Sequence, residues 1–215
     1  MSVNIEDLKK QRNLPTLLNE LNDFWKTEQQ KRTDFYELVH EDIKAEFING
    51  HVIFHSPVKG KHWITCTNLS AYLTIHVNQN GLGRVGAEKV MIRCTRNDYE
   101  PDIVFFKKET SQHFTDDQLI FPAPDLAVEI LSKSTKGNDY GIKFEDYAAH
   151  GVSEYWIINT EEESIEQFIL NNDKEENRKE NQEQTYKLYQ KLTKTGILKS
   201  FAVEGFEIEL KAIFK

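Results

Sequence analysis

The chain reads as an α/β protein, a mixed sheet with helices packed on its faces, and three observations carry that reading. Short apolar runs of strand length occur at Val85–Ala87, Val90–Cys94, Asp102–Phe106, Asp125–Leu131 and Glu154–Asn159. They are separated by stretches of helical periodicity, in the order helix, three strands, helix, strand, which suits a mixed sheet covered by helices. A length of 215 residues with 39% hydrophobic and 11% aromatic content gives one domain with a full core.

Residues 1–35 read as an N-terminal helical extension, with Leu17, Leu18, Leu21, Phe24 and Trp25 at helical spacing after Pro15. Ala45 to Phe54 reads as a hairpin turning on Asn49-Gly50, residues that suit the positive φ angles of a tight turn. Lys61 to Asn78 follows as a helix with Ile64, Leu69, Leu73, Ile75 and Val77 as its buried face, stopped by Gly81 and Gly83. A polar loop leads to the apolar run at 125–131, and a helix spans about Asp139–His150. Ser164–Leu170 and Tyr186–Leu192 form a second hairpin around the polar segment NNDKEENRKENQEQ, which reads as a mobile loop. The end, FAVEGFEIELKAIF, reads as an edge strand or a cover. No internal repeat occurs.

The net charge of −8 is unlike that of a dedicated nucleic-acid binder. Between Lys59 and Arg96, however, six basic residues stand against Glu88 alone, a local balance of +5 compatible with DNA contact. Only two cysteines, Cys66 and Cys94, lie in apolar-rich surroundings, so a disulfide framework is not expected and a reducing compartment such as the cytoplasm is. The N-terminus has no apolar segment after its charges, and no apolar run reaches the roughly 18 residues that a membrane helix needs.

Acids are cheap on a surface and costly inside a sheet. Glu129 interrupts the run Leu126-Ala127-Val128-Glu129-Ile130-Leu131, where it needs a partner; a metal ion or a basic side chain would serve. Asp102 opens another apolar strand directly after Pro101, and two such acids on neighbouring strands can converge on one cation. Glu46, in the first hairpin, is a third candidate whose plain reading is an exposed strand acid. In the following helix Lys143, Tyr147 and His150 share a side, while Phe144, Ala148 and Val152 can face the core.

These residues carry a resemblance. The stretches Ala45-Glu46-Phe47-Ile48-Asn49-Gly50, Ser56-Pro57, His62, Pro101-Asp102, Pro124-Asp125-Leu126-Ala127-Val128-Glu129-Ile130-Leu131-Ser132, Ser134-Thr135, Lys143, Tyr147 and Gly151-Val152-Ser153-Glu154-Tyr155-Trp156-Ile157-Ile158 resemble, in order and spacing, the Uma-two family of restriction endonucleases. That family lies in the P-D-x(n)-[D/E]-x-K nuclease superfamily, and the similarity covers about residues 36–215. It implies a restriction-endonuclease-like core and a Mg²⁺-dependent DNA endonuclease in which Mn²⁺ substitutes. Asp102 and Glu129 would bind metal, Glu46 would be a further acid, and His62 and Tyr147 would contact substrate. The superfamily's lysine normally stands two residues after the second acid; that place is Leu131 here, and Lys143 in the next helix matches instead. Cutting both strands suggests a homodimer, for which the apolar N-terminal helix is a surface. The rival reading is an inactive nucleic-acid-binding or protein-interaction module of the same fold.

Other signals fall away. Gly81-Leu82-Gly83-Arg84-Val85-Gly86 has the spacing of a dinucleotide fingerprint but follows a helix and opens a strand. Ser132, Ser134 and Thr135 lack a nucleophile elbow and read as helix entry. The histidines show no zinc-pair spacing. Asp125 lies four strand residues from Glu129, about 13 Å, too far to share an ion.

Overall fold

Two larger sheets and a two-stranded one near the C-terminus make up the fold, described in a computed structural model over residues 5–40, 43–171 and 184–215. Helices α1 (Ile5–Lys9) and α2 (Leu14–Leu38) lead into the hairpin β1 (Ala45–Ile48) and β2 (His51–Phe54), whose Asn49 and Gly50 take φ of 50° and 77°. The expected tight turn is therefore present. Helix α3 (Gly60–Asn80) ends on Gly81 in the left-handed conformation. Strands β3 (Gly83–Ala87), β4 (Met91–Arg93), β5 (Asp98–Tyr99) and β6 (Ile103–Lys107) follow. After α4 (Lys108–Ser111) come β7 (Ile120–Phe121) and β8 (Leu126–Ile130). Helices α5 (Lys136–Asp139) and α6 (Ile142–Ala149) precede β9 (Glu154–Asn159), β10 (Ser164–Leu170) and β11 (Tyr186–Thr193). The chain closes with β12 (Ile197–Lys199), β13 (Glu207–Glu209) and α7 (Leu210–Ile213).

The large sheet runs β11-β10-β9-β8-β6-β3, parallel only between β8 and β9, and the small sheet runs β2-β1-β5-β4-β7. Because side chains alternate along a strand, each face of the large sheet builds its own core. On one face Ile103, Phe105, Leu126, Val128 and Ile130 meet Cys66, Leu69, Leu73 and Val77 of α3. On the other Val104, Phe106, Ala127 and Ile157 meet Tyr147 and Ala148 of α6, together with Ile92 and Tyr99 of the small sheet. Gly83 has to be glycine: at φ 149° an added Cβ would be driven onto the Phe106 carbonyl oxygen of the neighbouring strand.

Several expectations change here. Ile75 is exposed, because the buried stripe of α3 is His62, Cys66, Leu69, Leu73 and Val77, and position 75 lies on the opposite side. The C-terminal segment is a cover: β12, β13 and α7 bury Leu198, Val203, Phe206, Leu210 and Ile213 against the large sheet. The expected mobile loop falls largely on residues 172–183, outside the described residues. Finally, α2 does not stop at 35. Phe35 is buried against Phe47, and Arg32 forks onto Asp98 with both nitrogen–oxygen distances at 2.7 Å. Arg32 also donates to the carbonyls of Cys94 and Thr95, and Tyr36 donates to the same carboxylate. The last turns of this helix thus belong to the body of the protein.

A fork of this kind, with Asp98 fully buried, cannot lose one partner cheaply. Arg32→Ala should lower the unfolding free energy by about 3–5 kcal/mol in a urea titration. An unchanged midpoint would mean that α2 is an appendage.

Candidate active site

Glu129 lies near the end of β8, in the register that pairs Ile103 with Val128; one step further, Asp102 comes opposite Glu129. By alternation Glu129 points to the α6 side of the large sheet with Ala127, whereas Asp102, just before β6, lies at the end of the sheet and meets His62 of α3. The small sheet lies over the α6 face and delivers Glu46 from β1, while α6 delivers Lys143.

Lys143 is the centre of the arrangement. Its ammonium stands 2.8 Å from Glu46 Oε1, 3.0 Å from Glu129 Oε1 and 3.7 Å from Asp139 Oδ1, and the residue is 1% exposed. Burial works against its charge, but Glu129, Glu46 and Asp139 outweigh burial and hold it protonated well above the ordinary lysine range. The two bridged acids share this cation unequally. Burial opposes ionisation of Glu46, yet Lys143 and His55, whose Nε2 is 3.4 Å from Glu46 Oε2, bring its carboxyl down to about 2. For Glu129 burial prevails: its carboxyl is pushed well above the usual range, with Lys143 opposing and Asp139, Asp102 and Glu46 adding to the rise. Burial likewise lifts Asp139 to about 6. Three carboxyl groups therefore surround one ammonium, and burial disfavours the charged forms of Glu129 and Asp139 while Glu46 stays ionised.

Tyr147, expected to contact substrate, has a different position. It is fully buried, and its hydroxyl donates to Glu129 Oε1 at 2.8 Å, so it orients the acid from behind and does not face the cavity. His62 does face it: this residue, in the first turns of α3, lies 3.2 Å from Asp102 Oδ1. The other Asp102 oxygen accepts the Ile130 N–H at 2.7 Å. Burial raises the Asp102 carboxyl, but His62, Lys44 and this amide outweigh it and hold it below the ordinary value. His150 stays away from the site and accepts from the Thr95 N–H. Ser132 and Thr135 form the turn into α5, where the Thr135 N–H donates to Ser132 Oγ and the Thr135 hydroxyl reaches Asp139. Asp125 is held at the other end of β8 by the Lys107 N–H.

Lys143, Glu129, Asp102 and His62 border a cavity of about 660 Å³. Its floor includes Asp102, Glu129 and Glu100, and its walls include Lys44, Lys59, Lys89 and Lys133. Five nearby residues went unmentioned as site members in the sequence reading: Lys44, His55, Glu88, Glu100 and Asp139. Burial raises the Glu100 carboxyl to about 7, and its Oε2 accepts the Ala45 N–H. Asp139 carried a signal, since an acid four residues before a lysine is a helical pairing. Lys44 and His55 had only the hairpin register, which sets them opposite each other one pair beyond Ala45 and Phe54, with the His55 N–H on the Lys44 carbonyl.

Among the described residues no three His, Cys, Asp or Glu side chains form a ready cage for a metal. Mg²⁺ does not ask for one: it is held by one or two carboxylates and keeps several waters. Two hard oxygens meet that need at the cavity floor. Glu129 Oε2 takes no hydrogen bond from the described residues, and Asp102 Oδ1 meets only His62 and the longer approach of Lys44 at 3.6 Å. The donor set fits the ion.

A mixed sheet with acids at the edge of two central strands and a lysine from the next helix defines a restriction-endonuclease-like fold. The chain belongs to the Uma2 family, described as "Putative restriction endonuclease", whose model matches residues 32–197. Among solved structures, one described as a "putative nuclease belonging to DUF820" from Anabaena variabilis ATCC 29413 superimposes with a TM-score of 0.63 at 18% identity. That match covers 84% of this chain and 94% of the other. No curated protein matches.

The carboxylates around Lys143 make a firm prediction. Lys143→Ala would leave Glu46, Glu129 and Asp139 buried without a counter-ion, so it should cost about 3–5 kcal/mol of stability in denaturant titration. A midpoint equal to that of the wild type would remove Lys143 from the centre of the site.

Proposed function

We propose that the protein is a divalent-metal-dependent endonuclease that hydrolyses DNA phosphodiester bonds. The observation that carries this reading is the placement of Asp102 and Glu129, from neighbouring strands, in the lining of one lysine-walled cavity. The family relationship supports it, and acidic floor with basic wall is the polarity that a phosphodiester and its metal require.

In this reading Asp102 and Glu129 hold the metal, Mg²⁺ or Mn²⁺. The ion supplies polarisation of the phosphate and a lowered pKa for the attacking water. Asp102 is kept in place by the Ile130 N–H, and Glu129 by Tyr147 and Lys143. Lys143 is an ammonium without a lone pair, so its part is to hold Glu46 and Glu129 together, and general-base catalysis falls to other groups. Glu46, ionised, balances that ammonium. His62, on the cavity wall and against Asp102, is placed to meet a substrate oxygen. Lys59, Lys89 and Lys133 offer cations to flanking phosphates, a sequence-independent contact.

The nuclease domain in this proposal begins inside α2, close to residue 32, because Arg32 and Phe35 are already part of the body. Cys66 and Cys94 are free and buried, which suits the reducing compartment expected from the sequence. Among the described residues no helix is long and apolar enough to cross a membrane.

Wild-type protein should nick plasmid DNA in Mg²⁺ or Mn²⁺, and Asp102→Asn should remove that activity while keeping the fold. Intact DNA binding without cleavage in either metal would assign the inactive binding module in its place.

The free half of α2 bears on assembly. Leu18, Leu21, Phe24 and Trp25 are all exposed, and Leu18, Leu21 and Trp25 have the i, i+3, i+7 spacing that packs against a second helix. Two-strand cleavage by one site per copy then suits a homodimer joined along this face. Light scattering should give twice the chain mass, and Leu21→Asp should return it to one.

A further inference from the structure

The nuclease reading leaves an unfilled position: the cation that meets the reacting phosphate. Leu131 stands where the sequence pattern would place a lysine, and Lys143 is enclosed by Glu46, Glu129 and Asp139 at 1% exposure. Lys143 also borders the cavity, but its ammonium is already engaged by these three acids. We propose that Lys44 is the catalytic cation of this site and binds a non-bridging oxygen of the phosphodiester beside Asp102.

Four features place it there. Lys44 borders the cavity, and its ammonium lies 3.6 Å from Asp102 Oδ1, next to the floor on which the reacting group would rest. Its hydrogen-bonding partner is Glu88 Oε2 at 3.0 Å, and the Glu88 side chain is 45% exposed. A bond to a solvated carboxylate is weakly held, so a phosphate oxygen of like charge can take the place of Glu88. The Lys44 backbone is pinned on both sides: its carbonyl accepts the His55 N–H, and the next amide, Ala45, donates to Glu100. The side chain is therefore aimed into the cavity by fixed backbone.

The partner residue adds the fourth feature. Glu88 adopts φ 67°, left-handed for a residue that gains nothing intrinsic from it. Its N–H donates to the Asp102 carbonyl at 2.9 Å, which holds the turn in that conformation. Strain of this kind is retained where the surroundings enforce it, often at ligand sites. Here it sets a carboxylate across the ammonium in the ligand-free protein. Glu88 is then a placeholder for substrate charge, and Lys44 stays ordered and charged until DNA displaces it.

The inference rests on the nuclease reading, so its test separates the two. Binding of a fluorescein-labelled duplex oligonucleotide is followed by anisotropy in Ca²⁺ across a salt series, and plasmid cleavage is followed in Mg²⁺. Lys44→Met keeps the apolar stem without the charge, and Lys44→Arg keeps a cation. Lys44→Met should lower cleavage on the order of a hundredfold and reduce the salt slope of binding by about 1 in a protein that remains folded. Lys44→Arg should recover most of both. A Lys44→Met protein with wild-type slope and cleavage would overturn the inference and leave the nuclease reading intact. A lowered melting temperature with an unchanged slope would also overturn it, because Lys44 would then be a structural partner of Asp102. Wild-type protein that neither binds nor cuts would remove the nuclease reading, and the inference with it.

Discussion

The ammonium of Lys143 is the constraint on which the rest of this structure turns. It comes from α6, and the acids it meets come from β1 of the small sheet, β8 of the large sheet and the end of α5. No two of these four segments are neighbours in the hydrogen-bonded ladders, so the ion cluster joins layers that backbone bonding leaves separate. Its surroundings are aromatic: Tyr147 packs edge-on against both Tyr99 and Tyr155, and the ammonium lies 5.7 Å from the Tyr99 ring. In so poorly solvated a place an unpaired charge is costly, so each segment is held to the others through the lysine. Fold and site are for this reason one problem here. Glu46, Glu129 and Asp139 can lie this close together only because Lys143 stands among them.

How much of this the sequence disclosed follows from where each residue's information lies. Asp102 and Glu129 were legible because each interrupts an apolar strand, and a local anomaly needs no knowledge of the fold. Lys143 was legible only through resemblance, since a single lysine on a helix is ordinarily solvated. Lys44, His55 and Glu100 were hidden because their place depends on the small sheet, which includes two two-residue strands, Asp98–Tyr99 and Ile120–Phe121. Such strands have no periodicity to detect. Asp98 looks like a polar loop residue until Arg32, sixty-six positions earlier, closes on it. The misreading of Ile75 has a simpler origin. Positions 69, 73 and 77 define the buried stripe of α3, and position 75, two residues from each neighbour, turns to the far side of the helix.

A second acid shows what distinguishes a site from a buried charge. Glu154 stands on β9, adjacent to β8, and is as deeply buried as Glu129. Its Oε1 accepts from Trp156 Nε1 at 2.7 Å and from Gln167 Nε2 at 2.5 Å. Its Oε2 accepts from the Ser200 hydroxyl and from the Phe201 and Ala202 amides, at 2.7, 2.8 and 2.7 Å. Five donors saturate the carboxylate, and it serves to clamp the turn before Phe206 onto the sheet. A strand acid in an apolar run is therefore an ambiguous signal, compatible with either fate. What sets Glu129 apart is incompleteness: two donors on one oxygen, a second oxygen without a hydrogen bond from the described residues, and a cavity alongside. An unfilled valence at the end of a rigid strand costs stability wherever it is kept, and a ligand that completes it recovers that cost on binding. The contrast between these two glutamates, one closed by its own chain and one left open, is the physical ground for placing the chemistry at β8 and not at β9.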